Sequence, residues 1–175
     1  MQMVMICIRE ERPDDIEVIR RLNEKAFVQP AEANIVERLR ENCPNLLSLV
    51  AIQADQIVGH LLFSTIRIEG DGKSMQGMGL APMAMLPEFQ RRGIGSLLVQ
   101  KGLEILKNRS CPFVIVLGHP EYYPRFGFER ASLYGIGCQW EGVPDEAFMI
   151  RILNQEAMRG ASGMARYQRE FDEAI

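Results

Sequence analysis

The sequence predicts a single α/β domain with a mixed sheet, in which most strands are antiparallel and one central pair is parallel. The chain has 175 residues, which is enough for one domain with a substantial core. Residues 79–117 contain an apolar strand, a glycine turn, a helix and a second apolar strand. A strand–helix–strand unit of this kind implies a parallel, right-handed crossover. The strand patterns that come before this unit predict antiparallel neighbours.

The first part of the chain predicts a strand, two helices and a hairpin. Pro13, followed by two acids, starts the first helix, because proline suits a first turn and acids suit the positive end of the helix dipole. Ala54 and Asp55 form a short turn, and residues 69–73 form a second hairpin turn. His60, alone in its strand, is interpreted as structural. The predicted strands are 3–9, 46–52 and 56–68, and the predicted helices begin at Pro13 and span 31–41.

The second part of the chain predicts the crossover unit followed by further strands. Pro87 stops the strand before the glycine turn, and the helix after the turn buries a wide apolar face. Pro120 opens a short helical turn that Gly127 can cap in the left-handed conformation. The core spans about residues 3–153, and residues 154–175 form a polar tail. The predicted strands are 80–86, 113–117, 134–140 and 147–153, and the predicted helix is 96–108.

Composition and charge argue against several classes of function. The hydrophobic content of 47% and charged content of 25% are ordinary for a soluble protein. A net charge of −3 provides no bulk attraction to nucleic acid, and no apolar run is long enough to cross a membrane. The four cysteines are widely spaced without a C-x-x-C pair, and there are only two histidines. This pattern predicts reduced thiols in a cytoplasmic protein that has no zinc site.

Residues 90–96, with the sequence QRRGIGS, predict a site for a diphosphate group. Two glycines between a strand and a helix allow a tight turn with uncovered N–H groups, and the positive end of the helix dipole favours an anion there. Arg91 and Arg92 add positive charge at this turn. Glycine pairs also occur in helix starts that bind nothing, and paired arginines are often simply solvated. The dinucleotide fingerprint and the P-loop are excluded, because the third glycine and the Gly-Lys-Ser/Thr run are missing.

Two motifs, in this order along the chain, resemble those of the GNAT superfamily of N-acetyltransferases. The first is Q-x-x-G-x-G, which resembles the coenzyme A turn of that family, and the second is Y-x-x-x-G-F after the second parallel strand. The resemblance covers about residues 3–153 and looks closest to a branch with a Gly-His-Pro-x-Tyr-Tyr-x-Arg-Phe-Gly-Phe stretch. The motif residues are Gln90, Gly93, Gly95, Tyr123, Gly127 and Phe128.

The resemblance implies a GNAT-like fold whose parallel strands splay at Pro87 to admit coenzyme A. It implies transfer of an acetyl group from acetyl-CoA to a primary amine of a small molecule or peptide, by direct attack in a ternary complex and without a metal. Neither nucleic acid nor a membrane is expected as a partner, and a homodimer through the last strands is compatible with this fold. The implied coenzyme-binding residues are Met83, Ala84, Met85, Gln90, Arg91, Arg92, Gly93, Ile94, Gly95 and Ser96.

The same resemblance assigns a catalytic role to one side chain, and the chemistry of imidazole suggests a second. Tyr123 falls on the general-acid tyrosine of the family, although it could instead be part of a packed aromatic pair with Tyr122. The N–H group of Met83 would stabilise the developing oxyanion. Many members carry a glutamate on the strand before the glycine turn, but residues 76–86 contain no acid. His119 could accept the amine proton through water, or it could only cap the end of its strand.

Two other kinds of protein remain as alternatives. One is an acyl-CoA sensor or scaffold with a GNAT fold and no turnover, which the missing carboxylate favours and Tyr123 opposes. The other is a mononucleotide-binding α/β protein, which would need an acidic ribose contact and a magnesium ligand set that are not evident here. The identity of the acceptor does not follow from the sequence, but Tyr134, Trp140 and residues 142–145 are expected to border its pocket.

Overall fold

The computed structural model of the chain describes residues 4–71 and 73–174. Contacts divide the chain into two compact units. Unit 1 contains Met1–Phe63, Ala81–Gly102 and Glu170–Ile175, and unit 2 contains Ser64–Leu80 and Leu103–Arg169. The helices are α1 (Ile16–Phe27), α2 (Ala31–Asn42) and α3 (Ile94–Asn108). The strands are β1 (Ile6–Glu10), β2 (Leu47–Gln53), β3 (Gln56–Glu69), β4 (Met75–Met85), β5 (Phe113–Leu117), β6 (Glu129–Arg130), β7 (Ile136–Cys138), β8 (Phe148–Ile152) and β9 (Gly163–Arg166).

Unit 1 contains the antiparallel strands β1, β2 and the first part of β3, together with α1 and α2. The predicted turn at Ala54 and Asp55 joins β2 to β3, and both residues have positive φ angles of 48° and 63°, as a two-residue hairpin turn requires. A 3-10 turn from Pro13 leads into α1, as the proline and the acids predict. Val28 follows the last residue of α1 and is left-handed with φ 56°, although it is β-branched and exposed.

The two faces of β3 in unit 1 are covered by different helices. A Cβ atom on Gly59 would lie 3.2 Å from Leu98 of α3, and one on Gly102 of α3 would overlap the ring of Phe63. The intervening His60 points to the other face, where its Nδ1 lies 3.3 Å from the amide nitrogen of Asn23 in α1. His60 is fully buried and hydrogen-bonded, which agrees with its interpretation as a structural residue.

Unit 2 contains the predicted parallel pair, formed by β4 and β5, and the antiparallel strands β8 and β6 that follow in the sheet. The mixed α/β class with a mostly antiparallel sheet is therefore confirmed. The ladder between β4 and β5 consists of the pairs Met78–Val114 and Gly79–Ile115. It ends well before Pro87, where the splaying of the strands was predicted.

Several predicted boundaries are wrong by a few residues. Helix α3 begins at Ile94, two positions before the predicted start, so the glycine turn already contains its first residues. Strand β4 begins at Met75 instead of residue 80. The strand predicted for residues 134–140 shortens to β7, because a 3-10 turn ends at Gly135, whose φ is 70°. Met3 of the first predicted strand and Gly72 of the second hairpin turn lie outside the described residues.

The C-terminal segment is not merely the polar tail that the sequence predicts. It contains β9, which pairs antiparallel with β3 and parallel with β7, so β8 is not the last strand. Met158, Ala161 and Ala165 are buried in the core of unit 2. The sequence did not reveal this strand because only two of its four residues, Met164 and Ala165, have apolar side chains, and its pairing partners are distant in the chain.

Candidate active site

The end of β4 leaves one row of backbone groups facing away from β3. The N–H group of Leu86 donates to the carbonyl of Val58 in β3 at 2.9 Å. Backbone polar groups alternate in direction along a strand, so those of Ala84 also face β3, whereas those of Met83 and Met85 face the opposite side. The Gln90 side-chain nitrogen donates to the Met85 carbonyl at 3.3 Å. The Met83 N–H group is therefore directed to the edge where the sequence predicts an extended ligand.

The turn after β4 has two left-handed residues. Arg91 has φ 61° and Gly93 has φ 80°. The N–H group of Leu97 donates to the Gly93 carbonyl at 3.3 Å, which begins the hydrogen bonding of α3. The preceding N–H groups at the start of α3 have no acceptor within the helix. Left-handed residues that turn successive N–H groups inward create a concave site for an anion.

The predicted diphosphate turn is solvent-exposed and carries positive charge. Gln90, Arg91, Arg92 and Gly93 are exposed, whereas Ile94 is buried and fixes the start of α3 in the core. The Arg92 guanidinium stacks over the Phe89 ring at 5.3 Å. A Cβ atom on Gly93 would meet no atom within 4 Å, so the space above the turn is open. Glycine is needed there for its φ angle and not for lack of room.

Tyr123 is the first residue of a 3-10 turn, Tyr123–Phe126, that follows β5 in unit 2. Its side chain is 7% exposed, and its ring packs edge-on against Tyr122 at 5.0 Å and Phe128 at 5.7 Å. Gly118 at the end of β5 leaves room for this ring, since a Cβ atom there would overlap it. Burial raises the pKa of the Tyr123 phenol, so the side chain keeps its proton at neutral pH.

His119 has an exposed side chain and a backbone carbonyl that supports the same turn. The carbonyl accepts hydrogen bonds from the N–H groups of Tyr122 and Tyr123, at 3.1 and 3.4 Å. Arg125 contacts Tyr122 in two ways. Its Nε donates to the Tyr122 carbonyl at 2.9 Å, and the Arg125 guanidinium lies 4.5 Å above the Tyr122 ring. The main chain of His119 therefore caps the turn, and its imidazole is accessible to water.

The residues predicted to border an acceptor pocket take different positions in unit 2. Tyr134 lines a cavity of about 390 Å³, together with Leu133, Ile152 and Met158. Its hydroxyl donates to the Glu129 carboxylate, a hydrogen bond that raises the pKa of the tyrosine. Trp140 instead packs on the ring of Tyr167, with the ring centres 4.7 Å apart. Neither Glu129 nor Tyr167 was selected from the sequence, because no motif marks either of them.

The end of β4 and the turn that follows it together form a site for one class of ligand. In unit 1, an exposed, positively charged helix start lies next to a strand edge with outward-facing backbone groups. Such a combination suits a ligand that has a phosphate group and an extended arm. Among residues 4–71 and 73–174, no group of three histidine, cysteine or acidic residues could hold a metal ion. In the same ranges, no helix has the length and apolar character needed to cross a membrane.

Comparison with known proteins gives the family. The family model described as acetyltransferase (GNAT) domain matches residues 7–131. An uncharacterized N-acetyltransferase of Escherichia coli, YhbS, is 34% identical over 168 residues, which cover 95% of this chain and 99% of the relative. The crystal structure of E. coli YhbS in complex with CoA has a TM-score of 0.89, at 32% identity, and the match covers 98% of this chain and 94% of that one.

A second solved structure gives the same result. A GNAT family acetyltransferase from Brucella melitensis in complex with acetyl-CoA has a TM-score of 0.76 at 32% identity, over 96% of this chain and 99% of that one. The chain therefore belongs to the GNAT family of acetyltransferases. The resemblance inferred from the two motifs is confirmed, and so is the assignment as an acyltransferase.

Proposed function

We propose that this protein transfers the acetyl group of acetyl-CoA to a primary amine of a small molecule or peptide, by direct attack in a ternary complex. The amine nitrogen forms a bond to the acetyl carbon, the carbon–sulfur bond breaks, and the sulfur leaves as coenzyme A. The amine must lose a proton, and the sulfur must gain one. The solved relatives in complex with CoA and acetyl-CoA support the choice of acyl donor.

The turn at residues 90–96 is the observation that carries the proposal. Its left-handed Arg91 and Gly93, the first N–H groups of α3 and the side chain of Arg92 combine backbone dipoles with mobile charge. In this proposal, these groups hold the diphosphate of the coenzyme. The outward N–H of Met83 binds the thioester oxygen, and the backbone of β4 up to Met85 binds the pantetheine arm.

A matched pair of substitutions at Gly93 tests the turn. Asparagine and aspartate have the same shape, both tolerate the left-handed conformation, and both find open space at this position. Only Gly93→Asp places a negative charge where the diphosphate is expected. We expect Gly93→Asp to bind acetyl-CoA about tenfold or more weakly than Gly93→Asn, measured by calorimetry. Equal affinities of the two variants would show that the diphosphate binds elsewhere.

We further propose Tyr123 as the general acid that protonates the leaving sulfur. Its burial raises the pKa of the phenol and keeps it protonated at neutral pH, so the side chain has a proton to donate to the leaving sulfur. Removing the hydroxyl in Tyr123→Phe should lower kcat by about 10²–10⁴-fold and leave acetyl-CoA affinity unchanged. Tyr122→Phe is the matched control, since it removes a neighbouring hydroxyl. Unchanged turnover in Tyr123→Phe would refute the assignment.

His119 is our proposed proton acceptor, acting through water. Its imidazole is exposed, so a water molecule can connect it to the amine, which must lose a proton before attack. The alternative is that His119 has only a structural role, in which its backbone carbonyl caps the turn. A substitution of the side chain would leave that carbonyl in place. We expect His119→Ala to lose the acidic limb of the pH–rate profile. A profile with the same limb as the parent would assign His119 to capping alone.

The sensor alternative is separated from the enzyme by one measurement. Residues 76–86 contain no acid, and this observation favours binding without turnover. Release of free coenzyme A thiol, followed over a panel of polyamines, amino acids and peptide N-termini, would establish catalysis. Tight binding of acetyl-CoA with no release above the rate in buffer would instead support a sensor or scaffold.

A further inference from the structure

The first strand of unit 1 has one edge to which no described strand pairs. β1 is the terminal strand of the sheet, and among the described residues it pairs with β2 alone. The N–H group of Glu11 donates to the Ser48 carbonyl at 2.9 Å, which continues the antiparallel ladder of these two strands. Backbone groups alternate in direction along a strand, so those of Cys7 also face β2. The backbone groups of Ile6 and Ile8 therefore face outward.

This outer edge is uncharged over residues 4–8, whose sequence is VMICI. Val4 and Met5 are 59% and 81% exposed, and the two isoleucines are half-buried. Beyond this run, the Glu10 carbonyl accepts a hydrogen bond from Nη1 of Arg9 at 2.9 Å. Soluble proteins usually protect an edge strand with charged side chains or proline, and residues 4–8 contain neither. An edge of this composition is suited to pairing with another strand.

We propose that β1 pairs antiparallel with β1 of a second copy of this chain, about a two-fold axis at Cys7. Ile6 of each copy then faces Ile8 of the other. Because both residues have outward-facing backbone groups, each such pair exchanges two hydrogen bonds. Facing β-branched side chains add packing between the strands. The edge is thereby complementary to itself, as a two-fold interface requires.

The position of the axis at Cys7 follows from charge and from overlap. It places Arg9 opposite Met5 of the second copy, so the charged residues of β1 lie at the two ends of the interface. An axis at Ile8 would bring the two Arg9 side chains diagonally together on one face, where like charges repel. An axis at Ile6 would pair fewer residues of the described strand.

The same register brings two thiols together. Facing residues whose backbone groups point away from each other have Cα atoms about 4.5 Å apart in an antiparallel pair. This separation is within the range of a disulfide, about 4.4–6.8 Å. An axis at Ile6 or Ile8 would instead place the two Cys7 residues diagonally, at about 7–8 Å. Cys7 is exposed, whereas the other three cysteines are buried or half-buried.

Sedimentation equilibrium of the full-length protein in reducing buffer tests the dimer. We expect twice the mass of one chain within the range of about 1 to 100 μM protein. Ile6→Lys places a charge against Ile8 of the second copy, and it should raise the dissociation constant of the dimer at least about tenfold. Val28→Lys is the matched control, because Val28 is 89% exposed and lies outside β1. It should dimerise like the parent.

Ile6→Pro is a second variant that acts on the backbone. Proline removes the outward N–H group of Ile6 and is tolerated at the first residue of an edge strand. It should also weaken the dimer at least about tenfold, since each copy loses a hydrogen bond to the other. Far-UV circular dichroism checks that both Ile6 variants are folded.

Diamide, a thiol oxidant, tests the register. We expect it to join the two copies through Cys7, giving a disulfide-linked dimer in electrophoresis without reductant. Cys7→Ser should abolish this product, whereas Cys138→Ser, which removes a half-buried thiol, should leave it unchanged.

Three results would overturn the inference. These are a monomer at every concentration, unchanged dimerisation of both Ile6 variants, and a dimer that diamide does not join through Cys7. Because the readouts are mass and cross-linking, the outcome is independent of acetyl transfer and of the proposed catalytic residues.

Discussion

Acidification should destabilise unit 1 through a single buried imidazole. His60 is fully buried between Asn23 and Ser48, and burial lowers its pKa from 6.5 to about 4. The nearby charges act in opposite directions, since Glu11 raises this pKa and Arg40 lowers it. In the unfolded chain the imidazole takes up a proton near pH 6.5, whereas in the folded protein it stays neutral to about pH 4. Between these values the unfolded state binds more protons.

The size of the effect follows from the difference between the two pKa values. A shift from 6.5 to about 4 corresponds to roughly 3 kcal/mol of unfolding free energy. The loss is absent above pH 6.5, grows at up to about 1.4 kcal/mol per pH unit, and is complete below about pH 4. Because a domain of this size is stable by only about 5–15 kcal/mol, the loss is measurable.

The assay is urea unfolding followed by far-UV circular dichroism at several pH values from 7.5 to 4. His60→Gln removes the titrating group, while its side-chain nitrogen can still donate to Ser48. Its free energy of unfolding should therefore change less with pH than that of the parent, by roughly 3 kcal/mol over the window. His119→Gln is the matched control, because the other histidine is exposed and should leave the slope unchanged. If His60→Gln and the parent lose stability in parallel, the reasoning is refuted.

Three further substitutions test backbone and packing constraints. Val28→Asn should increase the free energy of unfolding in urea by about 1 kcal/mol, because asparagine tolerates the left-handed end of α1; a decrease would contradict this. Gly102→Ala should cost about 1–3 kcal/mol in the same assay despite its better helix propensity, since the new methyl overlaps Phe63; a gain in stability would contradict that overlap. Gly118→Ala should displace the Tyr123 ring and lower kcat while leaving acetyl-CoA affinity intact; parental kcat would refute the proposed positioning.

Much of the fold could be predicted because its signals are local. The Ala54–Asp55 turn joins two strands with clear patterns, and the run at Phe113–Leu117 is apolar at every position. Gly93 of the diphosphate turn and the cap at Gly127 are left-handed, with φ angles of 80° and 85°. In each case a few consecutive residues determine the geometry. The extent of the domain, predicted as 1–175, stays a prediction.

Other features depend on residues that are distant in the chain. Strand β9 is defined by its pairing with β3 and β7, and nothing in its own four residues sets it apart from a loop. The buried chain from Asn23 through His60 and Ser48 joins a helix to two strands at unrelated spacings. The pairing of β4 with β5 ends early because the two strands take different directions. The spacing of side chains along either strand does not specify that direction.

The position of β9 has a practical consequence for anyone who shortens this protein. A chain that ends at residue 153, where the predicted core ends, would lack β9. Residues Arg67–Glu69 of β3 would then lose the strand with which they pair antiparallel. This edge of β3 would then expose backbone N–H and carbonyl groups without hydrogen-bond partners, next to Ile68, which is fully buried in the intact protein. Exposed edge strands of this kind pair with other chains, so such a fragment should aggregate on expression.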